Sequence, residues 1–193
     1  KIPRFTFEKF PGCQDQLTTS MRSVGEAMSI GRTFKESLQK GLRSLEVGMP
    51  GLGREFGAPP ESFDKDTILV SLRRPNSKRL FALRDALLAG ISVEDIYEAT
   101  YIDPWFLRQM EDLVNMEQEL LAFPEDRVTE SDAEFVALLK KAKEWGYSDK
   151  QLASIWGQEE PQLRELRKGL GLKPTYYLVD TCAAEFEAYT PYY

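Results

Sequence analysis

The chain has 193 residues, 42% hydrophobic and 29% charged, with a net charge of −6. That length and composition suit one or two folded domains with a real core and argue against full-length disorder. There is no histidine and there are two cysteines, Cys13 and Cys182, so His-based triads, His metal sites, disulfide frameworks and CxxC metal sites are all removed.

No apolar run approaches the ~18 residues of a membrane span. The chain opens Lys1-Ile2-Pro3-Arg4, without Met or a secretory signal pattern. Charge is uneven. Residues 1–79 hold 14 basic and 9 acidic side chains, residues 80–130 hold 3 and 12, and the rest hold 8 and 10. The acidic block is interleaved with apolar residues and reads as a solvated helix face.

Residues 1–19 read as extended. Pro3 and Pro11-Gly12 punctuate them, and Phe5 and Phe7 alternate with Arg4, Thr6 and Glu8. Residues 20–30 show helical spacing, with Met21, Val24, Ala27 and Met28 on one side. Thr33-Phe34-Lys35-Glu36 is a capping box that opens a helix carrying Phe34, Leu38, Leu42 and Leu45, with a stop at Gly48. Residues 48–63 form a Gly/Pro-rich loop. It lacks GxxxxGKS and no clear strand precedes it, so it reads as a flexible connection rather than a phosphate cradle.

Ile68-Leu69-Val70 suits either strand or buried helix. Asn76-Ser77 can cap a helix with Leu80, Leu83, Leu87 and Leu88, closed by Gly90. Ser92 starts a short helix with Asp95 in the position of the box Glu. Asp103-Pro104 starts a longer helix presenting Phe106, Leu107, Met110, Leu113 and Val114. Pro124 breaks that pattern and Thr129 or Ser131 restarts it, with Phe135, Leu138, Leu139, Ala142 and Trp145 as the stripe. Ser148-Asp149-Lys150-Gln151 is a further capping box, and Pro161 opens the last helix, with Leu163, Leu166 and Leu170. Tyr176–Val179 suits a strand.

Gly90–Val114 echoes Gly146–Leu170 at an offset of 56. Gly90/Gly146, Ser92/Ser148, Leu107/Leu163 and Arg108/Arg164 are identical pairs. This is a repeated packing solution. A short helix, turn and helix also resemble a DNA-binding helix-turn-helix. Yet Tyr147–Lys173 holds five basic and four acidic residues, so no cationic face supports that use.

Pro3-Arg4-Phe5-Thr6-Phe7-Glu8-Lys9-Phe10, Met21–Met28, Gly31-Arg32-Thr33-Phe34, Ile102–Leu107 and Val179–Phe186 closely resemble the large subunit of the carbamoyl phosphate synthases. The resemblance runs in order from end to end. It implies the central connection and oligomerisation domain between two ATP-grasp halves: an all-α, irregular multihelical array with short extended segments at both ends. The implied boundaries are 1–19 for the tail of the preceding half, 20–173 for the helical domain and 174–193 for the start of the following half. The ends, without a start Met and with an aromatic-rich tail, lead us to expect a domain excised from a longer protein.

The whole enzyme of that family makes carbamoyl phosphate from bicarbonate, glutamine-derived ammonia and two ATP, for arginine and pyrimidine synthesis, in the cytoplasm. Its ATP, Mg²⁺ and catalytic residues lie in the flanking halves. No catalytic, cofactor or metal residue is therefore carried over to this chain, which should neither bind nucleotide specifically nor turn over. The implied partners are the flanking ATP-grasp domains and other large subunits, with no nucleic acid and no membrane. Candidate interdomain or packing residues are Arg4, Phe5, Glu26, Arg32, Trp105 and Phe106. Glu26 and Arg32 are read as domain fasteners or as ordinary surface charges on a capped helix. Trp105 and Phe106, following the Asp103-Pro104 cap, read as core rather than contact surface. The alternative of an independent acidic catalytic module would use Glu94, Asp95, Asp103 and Glu111, but Asp95 and Asp103 already have capping work.

Overall fold

Side-chain caps start most of the helices. Thr33 accepts from the Glu36 amide, Asp64 from Thr67, Ser92 from Asp95, Asp103 from Trp105, Asp132 from Glu134 and Phe135, and Ser148 from Gln151. Each bond satisfies an amide that has no partner within its own helix. The computed structural model describes residues 1–53, 64–180 and 185. Among these residues are eight helices: α1 (Phe34–Ser44), α2 (Lys65–Leu72), α3 (Arg79–Leu88), α4 (Val93–Thr100), α5 (Pro104–Ala122), α6 (Ala133–Glu144), α7 (Asp149–Ile155) and α8 (Glu160–Gly169). One antiparallel pair of strands, β1 (Ile2–Phe5) and β2 (Ser23–Ala27), completes the regular structure. The mostly helical array expected from sequence is what forms.

The 19-residue α5 is the central rod, about 28 Å long at 1.5 Å per residue. Leu107, Met110, Leu113, Val114, Met116 and Leu120 on it are all buried. Two aromatic side chains reach its carbonyls from the far side of the core. Tyr147 Oη donates to Leu113 O at 2.6 Å, and Trp156 Nε1 donates to Leu120 O at 3.0 Å. Each buries a large ring while satisfying its polar end. Arg84 of α3 is buried and forks onto Glu117 of α5.

Several expectations are corrected. Residues 23–27 form β2, not a helix. Ile2 faces Ala27 and Pro3 faces Glu26 across the ladder, with an irregularity between Arg4 and Phe5. A helix here would carry Gly25 in its interior at a cost of about 1 kcal/mol, while β1 supplies ladder partners. The supposed apolar stripe stays outside, with Met21 81%, Val24 57% and Met28 50% exposed. Phe7 lies beyond β1 and opens a 3-10 turn (Phe7–Lys9). Asn76 and Ser77 do not cap α3, whose N-cap is Lys78 without a side-chain bond. Ser77 instead donates its amide and hydroxyl to Asp15, at 2.8 and 2.5 Å. Helix α6 starts from Asp132 rather than Thr129 or Ser131, because a carboxylate there reaches two free amides at once. Helix α1 ends at Ser44, ahead of Gly48.

The ambiguous Ile68-Leu69-Val70 lies within helix α2 (Lys65–Leu72). Tyr176–Val179 has no ladder partner among the described residues and forms no strand. The Gly/Pro loop is described only over 48–53, and those residues are held in place. Leu52 is buried, and its amide donates to Gln39 Oε1 at 2.7 Å. Residues 54–63, and the sequence motif from Thr181 onward apart from Glu185, lie outside the described residues.

Candidate functional site

The chain comes into the helical body at Arg32-Thr33 and leaves it at Pro174-Thr175, and these two points touch. Arg32 Nη2 donates to Thr175 Oγ1 at 3.3 Å, and its guanidinium lies 4.9 Å from the centre of the Tyr177 ring. Cation–π contacts at exposed positions contribute about 0.5–1 kcal/mol. On the incoming side, Glu36 does what a capping-box Glu does, one residue further back. Its Oε2 accepts from the Arg32 amide at 2.7 Å, while Oε1 holds Lys40 Nζ at 2.6 Å. Lys40 also donates to Ile30 O. Burial alone would raise the Glu36 pKa, but the Lys40 and Arg32 bonds outweigh it and hold the carboxyl below its ordinary value.

Asp149 is the hub beneath this neck. It accepts from Lys143 of α6 at 2.7 Å and from Arg167 of α8 at 3.0–3.3 Å, and Arg164 stands 3.7 Å away. One carboxylate at the start of α7 thus fastens three helices. Arg167 then turns its other nitrogen to the Leu172 carbonyl at the root of the exit segment. Burial on its own would raise the Asp149 pKa. The Arg167 and Lys143 donors prevail and lower it.

The candidate residues separate into three places. Arg4, Phe5 and Glu26 lie on the β-ribbon. Arg4 is exposed opposite Gly25, Phe5 sits 6.3 Å from Phe7, and Glu26 pairs with Lys1 at 2.9 Å. Glu26 and Arg32 have different partners. Arg32 is at the neck. Trp105 and Phe106 lie at the start of α5, where both pack edge-on against Phe34, with centroids 5.4 and 5.2 Å away. They are 52% and 43% exposed, so the core reading is corrected: this is a surface cluster backed by α1.

Sequence reasoning passed over Thr175, Tyr177, Phe34 as a ring partner, and the Asp149–Arg167 pair. One signal was present. Arg167 falls four residues after Leu163, on the apolar face of its helix, where a charge needs a buried partner. Of the carboxylates of the acidic alternative, Asp103 is a cap, whereas Asp95 accepts from the hydroxyl of the cap residue Ser92 and does not reach its amide. Glu94 stands 3.8 Å from Arg108. Among the described residues no group of three or more carboxylates or thiols is placed to hold a metal ion, and no helix is long and apolar enough to cross a membrane. In the helix-turn-helix echo, Arg164, Arg167 and Lys168 are each paired with acidic side chains.

A helical body whose incoming and outgoing segments meet has the form of a domain that can be inserted in a longer chain. Residues 26–171 match the family described as carbamoyl-phosphate synthetase large chain, oligomerisation domain, and the chain belongs to that family. It is 50% identical over 193 residues to the carbamoyl phosphate synthase large chain of Archaeoglobus fulgidus, and 51% identical over 193 residues to that of Nostoc sp.. It is 45% identical over 202 aligned residues to the carbamoyl phosphate synthase large chain, N-terminal section, of Methanopyrus kandleri. All of this chain is covered each time, but it spans only 18%, 17% and 35% of those proteins. A relative from Arabidopsis thaliana, 47% identical over 196 residues, is named arginine-specific and chloroplastic.

Proposed function

We propose that this chain is the structural connection and self-association domain of a carbamoyl phosphate synthase large chain and is not itself catalytic. The parent would make carbamoyl phosphate from bicarbonate, glutamine-derived ammonia and two ATP, with ATP and Mg²⁺ held in the flanking halves. Residues 1–19 would be the tail of the preceding half, 20–173 the connecting body and 174–193 the start of the following half. The parent would work in the cytoplasm, or in a plastid where it is plant-encoded. The observation that carries this reading is the neck. Arg32 touches Thr175 across 143 positions of sequence, so the body brings its two ends together and fixes their relation.

Arg32 fastens the ends. Trp105 and Phe106, with Phe34 behind them, present an aromatic surface for a second large chain, and the ribbon residues Arg4, Phe5 and Glu26 face the preceding half. Sedimentation velocity over a hundredfold concentration range tests the association. Reversible self-association weakened by Trp105→Ala/Phe106→Ala is the expected result. A strictly monomeric chain at the highest concentration leaves connection alone as the role. ATP turnover by this chain would overturn the non-catalytic reading.

A further inference from the structure

A cavity of about 620 Å³ opens beside the neck, between α1, α6 and the segment leaving α8. Seven of its lining side chains are basic and two are acidic, in a chain whose net charge is −6. Glu36 is engaged by Lys40 and by the Arg32 amide. Behind the wall, Asp149 satisfies Lys143 and Arg167. Arg32 is taken up by Thr175 and the Tyr177 ring, which leaves Arg43, Lys140 and Lys173 beside one further carboxylate, Glu144. Among the described residues none of these three cations makes an ion pair, although Asp149 and Glu36 act on Arg43 at longer range. Arg43 donates only to the Gly146 carbonyl, at 2.8 Å.

These three cations come from three elements: α1, α6 and the exit segment. Burial, with the nearby Arg167 and Arg43 guanidiniums adding to it, pulls the Lys143 ammonium below its ordinary pKa despite its bond to Asp149. Cations crowded into a concave surface repel one another and concentrate anions from solution. The lining chemistry narrows the class of anion. Its one aromatic side chain, Tyr147, is buried with its hydroxyl committed to Leu113 O. No ring face is offered to a base or an apolar body, whereas guanidinium and ammonium donors suit phosphate oxygens. The volume falls in the range of small-molecule sites.

We propose that this cavity is a binding site for a small, multiply charged, phosphate-bearing anion, held by Arg43, Lys140 and Lys173. Its occupancy ties α1 and α6 to the segment leaving α8. The proposal stands apart from self-association, which sedimentation reads separately.

Titration calorimetry of the 193-residue chain with inorganic pyrophosphate, in metal-free low-salt buffer, tests it. The helical circular dichroism of each protein is recorded first. One ion per chain is expected, with a raised melting temperature. Binding should weaken at least tenfold in Lys140→Glu/Lys173→Glu, whose two lysines are exposed and leave the core untouched, and also in Arg43→Gln. ATP should bind no more tightly than pyrophosphate. The proposal is overturned by absence of binding at millimolar pyrophosphate, by equal binding to the charge-reversed variant, or by several equivalent ions per chain. A marked preference for ATP would overturn the assigned ligand class.

Discussion

Asp149 is a single side chain on which three helices depend. Its folded pKa lies below its ordinary value of 3.8 because the Arg167 and Lys143 donors outweigh its burial. A carboxylate depressed in this way stabilises the fold fully above its unfolded pKa, and the contribution is lost as pH falls through the folded value. The body should therefore lose stability progressively below about pH 4. Asp149→Asn keeps the shape and removes the charge, leaving Arg167 and Lys143 without a counter-ion. At pH 7 this should cost about 3 kcal/mol, the scale for breaking a buried pair. The difference from the natural chain should shrink as pH approaches 3. Denaturant melts at pH 7, 5 and 3 check this, and a pH-independent gap would mean that Asp149 acts by packing alone.

At the scale of elements, the echo at offset 56 extends further back than the sequence suggested. Ile91 and Tyr147 donate to Ala86 and Ala142, and Gly90 and Gly146 donate to Leu87 and Lys143. Helices α3 and α6 thus end in the same Schellman turn, each with glycine at positive φ, 71° and 90°. Alanine at either position carries the backbone penalty of a left-handed residue, about 1 kcal/mol. At Gly146 a Cβ would also stand 2.9 Å from Glu36 Cα and from Gln39 Cβ, whereas at Gly90 it would meet only Lys65 Nζ at 3.9 Å. Gly146→Ala should therefore lower the melting temperature well beyond Gly90→Ala, and thermal melts of the two variants rank them. Similar losses would show that the packing around residue 146 gives way.

Much of this level could be read in advance, because caps and stops are local chemistry. Ser92, Asp103 and Ser148 start helices where their spacing places them. What could not be read depended on partners far away in sequence. Residues 23–27 become a strand because residues 2–5 lie beside them, and Ser77 is drawn from capping by Asp15, 62 positions earlier. The same limit applied to the neck. Arg32 stood out in the sequence, but Thr175 and Tyr177 acquire meaning only once the chain has returned to it. Trp105 and Phe106 carried a strong apolar signal, yet nothing local says whether an aromatic pair faces inward or out.

For the molecule as a whole, the neck decides how the two ends behave. Arg32→Ala removes both the Thr175 bond and the Tyr177 contact while leaving the buried core as it is. Proteolytic cleavage within residues 173–178 should accelerate severalfold, with the melting temperature shifting by no more than a few degrees. Unchanged cleavage would assign the holding of the exit segment to Arg167 and the Leu172 carbonyl instead. The closed neck also settles a matter of reach. Residues 33–174 could span a long distance if laid end to end, but they contribute almost none between residue 32 and residue 175. The body hangs from the backbone as a pendant rather than lying in it as a strut. A change of helix length far from the neck would leave the separation of residues 32 and 175 unchanged, whereas loss of the Arg32 contacts would free the exit segment beyond Leu172, which Arg167 still holds.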